Sequence, residues 1–290
     1  MPPGDGKYYW LERVSVMTRR DVFSTVGLLA AASAAQGQSG DAGTMSFRLG
    51  VATYSLRAFQ RSLAIKLLRR LAVTEVSVKQ ESHLPFALSG EDLTKAAGEF
   101  KKAGLKIVSC GNTELKSNDP AVLRKPFEHA KTAGVPMLVA APVHENLAAI
   151  ERLAMEFDIR VAIHTHGPED KYFPTPNIVL DAIKGMDPRM GLCLDVGHSM
   201  RGGADVVADI ARAGRRLLDV HFKDLKNGAE KDSQCDVGEG VMPVLAIFRQ
   251  LVKVGYRGNV NLEYEINEDD PTPGMLHSLG YMHGVMAALV

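Results

Sequence analysis

Cysteine, tryptophan and net charge are the scarce quantities in this chain. Its 290 residues include three cysteines and one tryptophan, and 34 basic side chains are matched by 34 acidic ones. Cys110, Cys193 and Cys235 show no C-x-x-C spacing and form no even set, which excludes a zinc knuckle and a disulfide scaffold. Cys193 stands inside an apolar run and reads as a small core residue. Zero formal charge leaves no electrostatic footprint for nucleic acid or an anionic membrane, so no nucleic-acid partner is expected. No G-x-G-x-x-G follows the first candidate strand, which removes the dinucleotide-binding fingerprint. What is plentiful is core: 46% of residues are hydrophobic, enough for one large domain.

The first 45 residues read as a leader outside the fold. Paired Arg19 and Arg20 precede an apolar run, Val22 to Ala35, too short to span a bilayer, and Ala32-Ser33-Ala34 has the small-x-small pattern of a cleavage site. Thr-Arg-Arg-Asp-Val-Phe resembles the twin-arginine export signal, with Phe23 one position late. That resemblance implies export of a folded protein, periplasmic in a bacterium, with no stable membrane span once the signal is removed. The alternative is a buried or amphipathic N-terminal helix. Residues 1–16 precede a second candidate start at Met17, and 36–45 read as a polar, Gly-rich linker.

From residue 46 onward short β-branched runs alternate with amphipathic helical stretches. Strands are expected at 48–53, 74–78, 105–109, 135–140, 159–164, 191–195, 217–221 and 259–263, with a helix after each and a polar loop over 226–240. Eight such units predict a single-domain α/β fold over 46–290, a closed (βα)8 TIM barrel rather than an open doubly wound sheet.

The chemistry lies where the later strands stop. The fifth ends in His164 and His166, the sixth in Asp195 and His198, the seventh in His221 and Lys223, the eighth in Glu263 and Glu265. Consecutive strands place these ends on one arc of the barrel rim, where imidazoles and carboxylates make a mixed site for one divalent metal ion, Mn²⁺, Co²⁺, Zn²⁺ or Mg²⁺. Strand alternation assigns His164, Asp195, His221 and Glu263 as lumen-facing ligands. His166 and His198, one step higher, are placed for proton transfer or substrate contact. Lys223 either neutralises an oxyanion or pairs with Asp224 or Glu263. Among the earlier rim residues, Tyr54, Lys79 and His83 are expected to bind substrate, with Arg57 and Asn112 nearby and Glu114 a solvated loop residue. Glu239, in the flexible Val-Gly-Glu-Gly stretch, is expected to close over it.

GLCLDVGHS, DVHFKD, VGEG and GNVNLEYE, in that order, resemble the xylose-isomerase-like TIM-barrel superfamily, the sugar phosphate isomerase/epimerase group. The resemblance covers about residues 47–290. It implies a metal-dependent enzyme acting on a small carbohydrate, with Asp195, His221 and Glu263 as ligands and Glu263 also a base. Where the epimerases end strand five in Glu, this chain has His164, and His-Thr-His-Gly is similar to the inosose dehydratase branch. Two schemes follow. In one, Glu263 or a histidine removes a proton next to a carbonyl and an enediolate leads to isomerisation or epimerisation. In the other, a second imidazole protonates a leaving oxygen and the enzyme is a lyase or dehydratase acting on an inosose or 3-keto-glycoside. A non-catalytic sugar-binding barrel is the third reading. An endonuclease-IV-type site is excluded because strand four ends in Ala-Ala-Pro with no ligand. The composition is compatible with a homo-oligomer.

Overall fold

The computed structural model describes residues 46–289; the export-signal expectation falls on residues 1–45, outside them. Eight parallel strands close into a barrel: β1 (Arg48–Ala52), β2 (Glu75–Val78), β3 (Lys106–Leu115), β4 (Met137–Pro142), β5 (Arg160–His164), β6 (Met190–Asp195), β7 (Leu217–Phe222) and β10 (Asn259–Leu262). Neighbours pair in chain order, and β10 closes the circle between β7 and β1. A two-residue antiparallel pair joins β8 (Asp224–Leu225), just before the polar loop expected over 226–240, to β9 (Gln234–Cys235) inside it.

The helices that cover the barrel are α1 (Arg61–Arg70), α3 (Gly90–Lys102), α4 (Pro120–Ala133), α5 (Leu147–Phe157), α6 (Pro176–Ala182), α8 (Val206–Ala213), α9 (Val244–Lys253) and α10 (Thr272–Ala287). Two short helices absent from the sequence reading, α2 (Gln80–His83) and α7 (Val196–Arg201), follow β2 and β6 directly. α7 forms because Asp195 caps it: its Oδ1 accepts the His198 backbone N–H at 2.8 Å. No helix of the described residues is long and apolar enough to cross a membrane.

Strand alternation divides the residues between two cores. Val161, Ile163, Leu192, Leu194, Val220, Phe222, Val260 and Leu262 face outward and pack under the helices in the large core. Met137, Val139, Ala162, Cys193 and Leu218 fill the lumen as a smaller cluster. Two positions above Ala162 and Cys193 stand His164 and Asp195, so the same period of two that buries the lumen core aims the polar strand ends inward. β7 keeps this phase through a register shift: Leu192 pairs with Leu217 but Cys193 with Asp219, leaving Leu218 as the extra residue. Beneath His221, the fully buried Asp219 carboxylate accepts from Ser109 Oγ at 2.8 Å and Asn261 Nδ2 at 2.7 Å, a polar layer tying β3, β7 and β10.

β3 runs six residues past its expected end and bulges between Cys110 and Thr113, which carries Asn112 to the rim. Gly111 permits this at φ +153°, where an added Cβ would stand 2.1 Å from the Val139 carbonyl oxygen. Gly111→Ala must therefore displace backbone on β4. It is expected to lower stability by about 1–3 kcal/mol, read as a lower urea midpoint; an unchanged midpoint would show that the bulge is not held as described.

Candidate functional site

At the C-terminal rim, His164, Asp195, His221 and Glu263 each offer one ligand atom, and these four atoms lie within 4.8 Å of one another. His164 Nε2 and His221 Nδ1 face each other at 3.2 Å, His164 Nε2 lies 3.6 Å from Asp195 Oδ2, and His221 Nδ1 lies 3.2 Å from Glu263 Oε1. All four are buried, and the one cation beside Asp195 Oδ2 is the Lys223 ammonium, at 3.0 Å. Local structure leaves that oxygen to the site, since the α7 cap engages Oδ1 and Thr165 Oγ1 takes the Asp195 backbone N–H at 3.1 Å.

Lys223 enters the same space from the end of β7. Its Nζ lies 3.0 Å from Asp195 Oδ2 and 2.9 Å from Glu263 Oε2 and also contacts Glu265, with only 3% of the side chain exposed. Of the two roles foreseen for it, the ion pair with Glu263 is present; Asp224 is engaged elsewhere. Burial opposes the Lys223 charge, but Asp195, Glu263 and Glu265 outweigh it and raise its pKa well above the ordinary lysine range. Burial likewise opposes ionisation of Glu263, and Lys223 and His221 overcome it, holding this carboxyl well below the usual range. Three carboxylates against one ammonium leave two negative charges when both imidazoles are neutral, an imbalance a dry interior tolerates poorly. A divalent cation would remove it. The donor set of two imidazoles and two carboxylates, all buried, fits such an ion.

The two imidazoles differ electrically. Burial, with His166 and His221 nearby, drives His164 well below its ordinary value. Burial opposes charging of His221 too, but the neighbouring Cys193 and Glu263 raise it well above.

Above the cluster opens a cavity of about 750 Å³, reached by His164, Glu263, Glu265, His166 and His198. His166 is held on both sides, with Nε2 2.7 Å from Asn112 Nδ2 and Nδ1 3.4 Å from Asp170 Oδ2. Burial works against the Asp170 charge, but His166 and the Tyr172 and Phe173 backbone N–H groups hold the carboxyl down at about 2. Asp170 is thus a fixed anion beside an imidazole, the arrangement that orients a proton-transfer group. His198 is gripped differently. Arg201 Nη1 lies 3.2 Å from its Nδ1, and a guanidinium has no acceptor, so Nδ1 must present its lone pair and Nε2 carries the proton of the neutral ring. Burial and nearby Lys223 lower the His198 pKa, which keeps it neutral. Arg201 is itself anchored by Glu169.

Tyr54 and Lys79 line the cavity as expected of them by position; Tyr54 lies under the Arg57 guanidinium at 4.5 Å, and Lys79 pairs with Glu81 at 2.8 Å. Glu114 lies on the same rim, paired with Lys116. Two residues assigned to substrate are placed elsewhere. His83 is fully buried beneath the rim, with Nδ1 bonded to Thr53 Oγ1 at 2.8 Å and Nε2 to the Phe59 carbonyl at 3.2 Å, so no nitrogen remains for a substrate. Glu239 points away from the cavity into an exposed group with Asp236 and His277. The Val-Gly-Glu-Gly glycines serve Asp224 instead. Its carboxylate accepts the backbone N–H groups of Leu225, Gly238, Gly240 and Met242, and a Cβ on Gly240 would stand 2.1 Å from Asp224 Oδ1. Asp170 and Arg201 escaped the sequence reading. Their only trace was spacing, Asp170 four residues after His166 and Arg201 three after His198 on a helix that the cap creates.

Residues 141–283 match the family model described as xylose isomerase-like TIM barrel. The closed eight-stranded barrel is a single (βα)8 TIM barrel, consistent with the xylose isomerase-like fold. The rhizopine catabolism protein MocC of Rhizobium meliloti is 32% identical over 146 residues, 45% of this chain and 42% of that protein, so the chain spans less than half the length of this relative. Two solved structures share the fold. The IOLI protein with a binding zinc atom superposes with a TM-score of 0.71 at 16% identity, covering 83% of this chain and 99% of that one. The D-psicose 3-epimerase of Clostridium cellulolyticum H10, solved with D-tagatose, gives 0.68 at 16%, also covering 83% and 99%.

The pKa directions set the pH dependence of metal uptake. His221 is raised, so its proton occupies the site at neutral pH and must leave before the ring can ligate, whereas His164 is already neutral. Calorimetry in buffers of different ionisation enthalpy should show about one proton released per ion, with affinity rising about tenfold per pH unit across neutrality. His221→Ala and Glu263→Gln should each lose more than the roughly 10–100-fold that removal of an outer hydrogen-bond partner costs. Uptake independent of pH, or full loading of both variants, would refute the ligand set.

Proposed function

We propose that the protein is a divalent-metal-dependent sugar isomerase or epimerase acting on a keto-sugar by proton abstraction next to the carbonyl. The observation that carries this reading is the convergence of His164, Asp195, His221 and Glu263, with Lys223 and Glu265 beside them, into a cluster of net negative charge on the floor of a cavity sized for a small polar ligand. A bound Mn²⁺, Co²⁺, Zn²⁺ or Mg²⁺ ion would supply Lewis-acid polarisation of the substrate carbonyl.

The chain's own residues divide the remaining work. Glu263 is held ionised and reaches the cavity, which suits it to remove the proton α to the carbonyl. Lys223, charged and buried, stands beside the region where negative charge develops and stabilises an oxyanion there. His198 presents Nε2–H as a neutral donor to a substrate oxygen, because Arg201 occupies its other nitrogen. His166, oriented by Asp170, carries the second proton transfer. Tyr54 and Lys79 form the opposite wall and contact the sugar hydroxyls.

One observation favours a second reading, β-elimination from an inosose or 3-keto-glycoside. β5 ends in an imidazole, His164, where the epimerases have a carboxylate, so a symmetrical pair of carboxylate bases is absent. A donor fixed as His198 is fixed suits protonation of a departing oxygen. The name of the Rhizobium relative, a catabolism protein, is compatible with either reaction.

Incubation with Mn²⁺ or Co²⁺ and ketoses, 3-keto-glycosides or inososes in D2O separates these outcomes by NMR. Deuterium at carbon marks proton abstraction, and release of water or an aglycone marks elimination. Asp170→Asn should lower kcat about 100-fold with metal content unchanged, because its role is to orient His166. No deuterium incorporation from any of the three classes in the metal-loaded protein would overturn the proposal.

A further inference from the structure

We infer that the opposite, N-terminal end of the barrel carries a second binding site, for a small multivalent anion bearing two or more phosphate groups. A cavity of about 620 Å³ opens there, lined by Arg48, Lys106, Arg160, Arg215 and Arg257 and, among the described residues, by no acidic side chain. In a chain of balanced charge this segregation is a departure. Its origin is topological. Arg48, Lys106 and Arg160 open β1, β3 and β5, and Arg215 and Arg257 stand two residues before β7 and β10, so separate strand starts deliver all five cations to one mouth.

Dipole compensation at helix ends does not account for them. That effect fades within the last helical turn, whereas Lys106, Arg160, Arg215 and Arg257 lie two to four residues beyond the ends of α3, α5, α8 and α9. Nor are they neutralised in place. Glu75, buried behind the mouth, lies 3.0 Å from Arg48 and 3.7 Å from Lys106, and it is one carboxylate against two cations. Arg160, Arg215 and Arg257 make no ion pair and no side-chain hydrogen bond among the described residues, so their guanidinium groups are open to a ligand. Converging guanidinium forks with open donors match phosphate oxygens in geometry and charge. The volume fits a single small molecule. Val108, Met137, Leu217 and Leu218 give the cavity an apolar floor continuous with the lumen core, against which a non-phosphate body can rest.

The test is calorimetry and thermal shift on the full chain at low ionic strength, with inorganic pyrophosphate, fructose 1,6-bisphosphate and ADP as probes and sulfate as the control anion. Wild type is compared with Arg215→Glu/Arg257→Glu, whose two positions are exposed, so the unliganded Tm should not change. At least one probe should bind one-to-one, raise Tm, and weaken as salt is raised. In the double variant its affinity should fall by at least about tenfold. Preference for pyrophosphate would assign the site to phosphate groups alone, and preference for ADP or the bisphosphate would assign a role to the apolar floor. The inference fails if no probe binds, if sulfate binds as tightly as the probes, or if the double variant binds them as well as wild type. None of these readings depends on the reaction at the other end.

Discussion

The structure turns on the ammonium of Lys223 among the carboxylates of Asp195, Glu263 and Glu265. Two strand ends, β6 and β10, would bring like charges together if nothing stood between them, and the buried lysine at the end of β7 lets them converge. Its single charge does not balance theirs. The remaining deficit is what fits the site to a further cation. The supports around it follow the same constraint: α7 begins on Asp195, and Gln234 donates to the Glu263 carbonyl while accepting the Glu265 N–H, fixing the ends of β6 and β10.

Two histidines above the cluster show how one side-chain type acquires opposite tasks from its neighbours. His166 lies against a carboxylate that is anionic across the working pH range, and its imidazole is oriented for proton transfer. His198 lies against a guanidinium that can only donate, so the ring is kept neutral with its proton on Nε2. Neither tautomer is a property of histidine itself. Each is imposed by a partner on a short helical segment just after a strand.

The two ends of the barrel contrast in charge because of how a parallel barrel is wired. Strand C-termini collect buried acids with imidazoles, and strand N-termini collect exposed arginines with few acids. Nothing in the linear charge balance of the chain announces this, since the two sets alternate along the sequence and cancel in the sum.

Eight strands, their order and the four residues that converge in the lumen were legible in the sequence, because a period of two links burial of Ala162 and Cys193 to the direction of His164 and Asp195. A strand pattern carries its own orientation, and consecutive parallel strands carry their adjacency. The loops carry neither. His83 has the composition of a substrate contact, yet the fold turns it inward onto Thr53 and Phe59; Glu239 sits between glycines that look mobile but pack against Asp224. Asp170 and Arg201 are unremarkable in the sequence and become partners of His166 and His198 only through the turns that follow β5 and β6, the short helical turn before Asp170 and the helix α7 that the Asp195 cap begins. By itself the sequence determined which residues face the lumen, since alternation is a local property of the backbone. Tertiary structure decided which loop residues meet them and in what protonation state, since those depend on distances across the rim that no local period encodes.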